Sequence, residues 1–379
     1  MRQLISLLKN GMMRPFKLFG TATLAMQNIE SLSDLFDAVG CKATFYDVGR
    51  YITKITPQQV VQFDKKQQIY PYSFRKQAWL ACVLKQSSDS ISTNQVIWFL
   101  RLPLDESGCL NLGTRDHFIK TIVDKIMHKG AEQGVQEALE DNPYAFQPDQ
   151  DRLASFHAIL ARDLKQPASE YLDAVLTYLR NANASLSDEW QDLGVQGLAD
   201  LAARNEKAAY EKEVIRALCT APDDVRFPLC HALEHHLPSN ALVKAVSNEM
   251  TDSVTTPAGA SHLIRAIARG DFPNDLFIPL FTMLGDITDC SDEQLELIAA
   301  LVSKCPHWLT AQGQLLRIIL EKLAHRDDAQ LGFKHIVAEL TQQQETRQAC
   351  WNILRSPHAS AALQKAVADL FTPSTQTLQ

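Results

Sequence analysis

The residues whose spacing most resembles a reaction centre are His231, Glu234 and His235, in the stretch His231-Ala232-Leu233-Glu234-His235. Two histidines one helical turn apart can share a Zn²⁺, with the acidic neighbour as base, which would be metallohydrolase chemistry. A third ligand would have to come from Glu293, Glu296 or Glu321. The stretch sits between Pro228 and Pro238, in a short helix with no α/β scaffold around it, and a partly exposed structural helix also accounts for it. No metal or cofactor is therefore assigned, and His231 and His235 stand as candidate ligands only.

A second group comprises Asp47, Arg50, Arg75, Arg101 and Asp105, with Arg115 and Asp116 beside them. Arg50 and Arg101 fall at or within expected strands, where a buried guanidinium must be paired or hydrogen-bonded. Bidentate arginines there would frame a phosphate or carboxylate. Solvent-facing strand positions with structural Arg–Asp pairs are the plainer reading. Tyr46, Tyr51, Tyr70, Tyr72, Phe74, Trp79 and Trp98 crowd the same region. Aromatics beside arginines suit stacking on single-stranded nucleic acid, but a small module also needs them simply to build a core. No nucleophile elbow, phosphate loop or dinucleotide fingerprint occurs.

The elements that must position these residues change character along the chain. Leu32, Leu35, Phe36 and Val39 line one face of a short helix that Gly40 stops. Thr44 to Thr53 is rich in β-branched and aromatic residues and reads as a strand, with Gly49 marking a bulge or a close backbone approach. Thr56-Pro57-Gln58-Gln59 has the cap, proline and glutamine of a helix start. Residues 78–84 and 95–102 read as adjacent antiparallel strands, and 109–112 as a fourth. From Asp116 the apolar period becomes 3.6, and thirteen helices are expected between 151 and 371, punctuated by Pro167, Pro222, Pro238, Pro273, Pro306 and Pro357. Segments 214–218, 263–267 and 315–319 resemble one another at offsets of 49 and 52, near the period of HEAT and armadillo arrays.

The fold class expected is thus a small α+β N-terminal module followed by an all-α, HEAT-like helical repeat, or solenoid. The divisions are 1–25 as a disordered leader or a start placed too early, 26–115 as the α+β module, 116–150 as connecting helices and linker, 151–373 as the helical repeat and 374–379 as a tail. Glycine, 15 of 379 residues, is scarce, which suits helices and leaves few loops for close approach to a phosphate. The eight cysteines are never closer than eleven positions, so no C-x-x-C clip exists, and their apolar settings fit a reducing, cytoplasmic compartment. No run of roughly 18 apolar residues offers a membrane span. Residues 1–25 carry four basic and no acidic side chains, residues 26–115 ten and eight, and the chain is −7 overall, so residues 116–379 carry −13. Such an acidic helical surface disfavours nucleic acid and favours a protein partner with a basic patch.

Several stretches also resemble a family of bacterial proteins classed as a domain of unknown function. They are Phe45-Tyr46-Asp47-Val48-Gly49-Arg50, residues 71–80, residues 98–106, Asn142-Pro143-Tyr144-Ala145-Phe146 with Phe156-His157-Ala158, and residues 190–200. The resemblance begins near Met26 and implies a bacterial intracellular setting, without an activity, cofactor or catalytic residue. The expected function is a non-enzymatic interaction or scaffold protein. The alternative is an enzyme or ligand-binding protein that uses an arginine-lined anion pocket in the α+β module.

Overall fold

The computed structural model describes residues 29–86, 95–129, 142–181, 188–252, 255–288, 290–326 and 329–371. The leader 1–25, the tail 374–379 and most of the loop between the expected strands lie outside these residues. The chain divides into two compact units, Met1–Asp149 and Gln150–Gln379.

In the first unit, helix α1 (Leu32–Ala38) starts where the Ser31 hydroxyl accepts the Asp34 N–H. Strands β1 (Cys41–Asp47) and β2 (Thr53–Lys54) follow, then α2 (Pro57–Asp64), β3 (Gln77–Gln86), β4 (Gln95–Pro103) and α3 (Leu112–Lys129). All strand pairs are antiparallel, in the order β2-β1-β3-β4. The expected capping box forms at α2, where Thr56 and Gln59 exchange side-chain-to-backbone bonds. Alternation along the strands puts Phe45, Leu80, Cys82, Trp98 and Leu100 in one core with Phe36, Phe63 and Phe118 of the three helices. Helix α3, which the sequence reading places in a connecting segment, thus packs within the first unit.

Two expectations fail here. The strand expected over Thr44 to Thr53 ends at Asp47, with the chain bending after it, although Gly49 does make the expected close approach, since an added Cβ would lie 3.1 Å from Phe74 Cβ. The short fourth strand is β2; residues 109–112 supply one bridge, Leu104 to Leu110, before α3 begins. Asn111 explains the early start, since its side-chain oxygen accepts the Thr114 N–H as a helix cap.

A buried ion pair fixes the helices of this unit. Asp64, at the end of α2, accepts the Leu32 N–H at 2.8 Å and meets Arg115 Nη1 at 3.1 Å. The same guanidinium donates to the Asp64 carbonyl and, through Nη2, to Asp116 at 2.6 Å. One carboxylate therefore joins the start of α1, the end of α2 and the first turn of α3.

The second unit contains α4 (Gln150–Asp163), α5 (Tyr171–Arg180), α6 (Val195–Ala203), α7 (Ala208–Thr220), α8 (Asp223–Leu233), α9 (Asn240–Asp252), α10 (Pro257–Ala266), α11 (Phe277–Leu284), α12 (Asp292–Lys304), α13 (Pro306–Ala311), α14 (Gly313–His325), α15 (Ala329–Gln342), α16 (Gln344–Leu354) and α17 (Ala361–Phe371). Helices α4 to α8 and α10 each pack against the next helix but one. One row runs α4, α6, α8, α10, α12; the other runs α5, α7, α9 and the 3-10 turn Asn274–Leu276 that leads into α11. Helices of the first row begin at 150, 195, 223, 257 and 292, intervals of 45, 28, 34 and 35 residues.

That spacing overturns the offsets of 49 and 52 read from sequence. Val214 to Leu218 lies on α7 in the second row, whereas Leu263 to Ile267 lies along α10 in the first. Their likeness is that of any amphipathic helix, not of equivalent positions in a repeat. Pro306 follows the end of α12 as expected and also opens the short helix α13, since a first-turn position needs no N–H from it. The single helix expected over 188–204 is a 3-10 turn, Asp188–Asp192, followed by α6.

Close approach of the rows depends on Gly197. A Cβ there would lie 2.5 Å from the Tyr171 carbonyl and 2.8 Å from Val175 Cγ2. Gly197→Ala is predicted to destabilise the protein by about 2 kcal/mol through forced separation of α5 and α6. Helix propensity alone predicts a gain of about 1 kcal/mol, so urea unfolding decides which term wins.

Candidate functional site

Antiparallel register places Trp79 of β3 opposite Arg101 of β4, and both project from the sheet face opposite Leu80 and Leu100. The Arg101 guanidinium lies over Trp79, 5.9 Å from a ring centroid. Trp79 packs edge-on to Phe146 at 4.9 Å and tilts against Phe74 at 6.2 Å, while its indole N–H donates to the Phe74 carbonyl. Arg50 and Arg75 lie over the Phe74 ring at 5.7 and 5.2 Å. Three of the arginines singled out in sequence thus converge on one Phe74–Trp79–Phe146 platform. Arg75 and the next residue, Lys76, adopt φ of 51° and 59°, which turns the chain sharply at its edge.

The two aspartates of the set play other parts. Asp47 is buried at the end of β1, accepting the Tyr70 hydroxyl at 2.7 Å and the Gly49 N–H at 3.1 Å. Burial beside that carboxylate pushes the Tyr70 phenol well above its ordinary range, so it stays a donor. Asp105 shapes a turn by accepting the Ser107 and Cys109 N–H groups, and pairs with Lys66 at 2.6 Å. Phe146 comes from the segment that sequence reading takes as a linker, with no indication that it would join these residues. It arrives because the 144–146 segment pairs with β4, through Arg101 N–H to the Tyr144 carbonyl and Phe146 N–H to the Phe99 carbonyl.

In the second unit the histidine motif comes apart. Helix α8 ends at Leu233, so Glu234 caps it and His235 lies past its last turn. The two imidazoles therefore do not share a helical face. His231 Nε2 lies 2.9 Å from His262 Nδ1 on α10, and His262 stacks on Phe227 at 4.1 Å. His235 is buried, its Nε2 4.0 Å from the Glu234 carboxylate. Glu321, one of the third ligands considered, accepts the Ser360 N–H and hydroxyl instead. Among the described residues, no three histidine, cysteine or acidic side chains are grouped to hold a metal ion.

Glu234 is the centre of a buried ionic cluster. Lys304 Nζ of α12 donates to Oε1 at 2.6 Å and Arg265 Nη1 of α10 to Oε2 at 2.9 Å. Burial alone would raise the Glu234 pKa, but Lys304, His235 and Arg265 outweigh it and hold the carboxyl at about 2. Burial draws Lys304 down to about 8, with Glu234 opposing. Next to the cluster, Arg269 donates to the His235 carbonyl at 2.8 Å, and Arg162 Nη1 of α4 lies 3.3 Å from His236 Nδ1. Lys304 had a legible signal, since a lysine in Leu301-Val302-Ser303-Lys304-Cys305 must find a buried partner. His262 and Arg265 had none, because only the stacking of α8 on α10 brings them in. Both oxygens of this carboxylate are thus engaged by structural cations.

The family model described as "Protein of unknown function (DUF3549)" matches residues 27–371, and the chain belongs to that family. No curated protein and no solved structure matches the chain. Among the described residues, no helix is long and apolar enough to cross a membrane.

The buried imidazoles make stability depend on pH. Burial, aided by Arg162 and Arg269, lowers His236 to about 3, and burial takes His235 well below its ordinary value against the opposing Glu234 carboxylate, whereas both titrate near 6.5 when unfolded. Below about pH 6.5 the unfolded chain binds protons that the folded chain refuses. Stability therefore falls as pH drops, by about 1.4 kcal/mol per unit for each such imidazole. Urea unfolding at about pH 7.5 and 5.5 should show this loss, and His236→Gln should remove its share. Equal midpoints at both pH values would contradict the burial of these histidines.

Proposed function

We propose that this member of the DUF3549 family is a non-enzymatic, cytoplasmic scaffold. Its second unit acts as a HEAT-like helical array that binds a protein partner through an acidic surface. The observation that carries this reading is the pair of helical rows in which α4 to α8 and α10 pack on the next helix but one, as in a solenoid. Such stacking leaves long outer faces for contact, and the net charge of −9 over residues 150–379, with 20 basic and 29 acidic side chains, gives them a sign. The partner is then a protein with a basic patch, attracted over a distance set by ionic strength. Tagged protein should recover a stoichiometric partner from its own cell extract at about 50 mM salt and release it by about 500 mM. Extracts that yield no partner at any salt would refute the scaffold.

A second reading has its own observation in the first unit. Arg50, Arg75 and Arg101 all lie on the Phe74–Trp79 platform, a geometry suited to a planar or phosphorylated anion. A thermal-shift screen with nucleotides, phosphates and carboxylates addresses it. Stabilisation of about 2–4 °C that disappears in Arg101→Ala is the expected result, and a flat screen removes the reading.

A further inference from the structure

Helix α11, Phe277-Ile278-Pro279-Leu280-Phe281-Thr282-Met283-Leu284, is apolar nearly all round, yet only part of it is covered. Leu280 and Leu284 are fully buried and anchor it to the array. Ile278 and Phe281, one turn apart, are 73% and 49% exposed, with Phe277 against Phe281 at 6.2 Å and Ile287 also exposed nearby in sequence. Large apolar side chains grouped on one outward face mark a surface that something else covers.

The charge around this face is one-sided. From Asp271 to Ser303 the chain has seven acidic residues and no lysine, arginine or histidine. Of these, Asp271, Asp275, Asp286, Asp292, Glu293 and Glu296 are exposed. The first turn of α12 is held at the end of α11, because the Gln294 side chain donates to the Met283 and Leu284 carbonyls at 2.9 and 3.0 Å. Asp292 and Glu293 therefore stand at the C-terminal end of α11. Favourable interaction with the α12 dipole accounts for those two. Asp275 likewise lies in the first turn of the 3-10 helix before α11, and Asp286 accepts the Thr288 N–H at 3.2 Å, but neither role accounts for 33 residues without a base. Two cations reach the region from elsewhere: Arg326 lies 3.5 Å from Asp292, and Lys322 donates to the Asp286 carbonyl.

We infer that the exposed face of α11, with its carboxylate surround, seats a basic amphipathic helix of a partner protein. The inference rests on the scaffold reading and names the place and the chemistry of its partner. An apolar stripe on that helix covers Ile278 and Phe281, and lysines or arginines flanking the stripe meet the carboxylates. A second copy of this chain would bring seven acids against seven and is disfavoured by like charge. Anionic lipid and nucleic acid are repelled for the same reason.

The probe is a fluorescent helical peptide of about 15 residues of lysine and leucine, with every leucine on one face, titrated against the full chain. A scrambled peptide of equal charge is the control. The ordered peptide should bind at least about tenfold more tightly than the scrambled one, and weaken about tenfold from 50 to 300 mM salt. Ile278→Asp should weaken it by about tenfold, and the Asp275→Asn, Glu293→Gln double variant should both weaken it and flatten the salt dependence. Phe281→Ala replaces Ile278→Asp if the latter lowers the unfolding midpoint. Equal binding of both peptides, or affinity untouched by these changes, overturns the inference. So does a wild-type dimer that Ile278→Asp turns into monomers, since the occupant is then a second copy. Capture from extract separates the two readings. A partner retained by Ile278→Asp sinks this site alone, whereas a wild-type chain that captures nothing sinks the scaffold.

Discussion

A carboxylate inside a stack of helices is tolerable only where cations surround it, and Glu234 meets that condition with groups from two other helices. Lys304 reaches it from α12 and Arg265 from α10, while Glu234 itself closes α8. One buried charge thus links three successive members of the same row. Hydrophobic packing between helices is non-directional and tolerates sliding by a turn. Ion pairs at 2.6 and 2.9 Å do not. The register of the row therefore depends on this cluster more than on any apolar contact. The neighbouring Arg162–His236 and Arg269–His235 contacts carry the same polar seam towards α4 and along α10.

Net stability is a weaker argument for such a cluster than uniqueness. Desolvating a lysine, an arginine and a glutamate costs several kcal/mol per ion, which their mutual attraction only roughly offsets. Removing one partner is much worse, because it strands a charge in the interior. The same logic holds in the first unit, where Asp64 takes the Leu32 N–H and Arg115 at once. In each case the acid stands at the end of a helix and fixes how other helices meet it. A rearranged packing would leave these charges unpaired, which is how a buried ion pair selects one arrangement among several with similar apolar burial.

How far the sequence disclosed all this depends on the range of the interaction. The α2 start was legible because Thr56, Pro57 and Gln59 act within one turn. Strands β3 and β4 were legible because their two faces alternate and their pairing is local. The arginines were legible as a set, yet their common platform was not, since Phe146 joins it only through pairing of residues 144–146 with β4. The histidine motif misled for a definite reason. Its i, i+4 geometry assumes an unbroken helix, and α8 stops two residues before His235. The proposed five-residue repeat misled because amphipathic periodicity is common to both rows and cannot say which row a helix occupies. What pattern reading lacks in each case is the neighbour across the stack.

The two rows also explain why acidity and exposed apolar surface can coexist without ruining the fold. Each helix needs only its inner face to bury α10 against α12 or α7 against α9, so the outer positions are free of packing constraint. Polar residues there cost nothing, and a net negative charge costs only self-repulsion, which salt screens over roughly 8 Å at physiological strength. An apolar outer face is the more expensive choice, because it favours association with any greasy surface. Surrounding Ile278 and Phe281 with carboxylates limits that risk: neutral and acidic surfaces meet desolvated or like charges, and only a cationic surface is admitted. The negative charge around α11 is thus what would make its exposed apolar face selective.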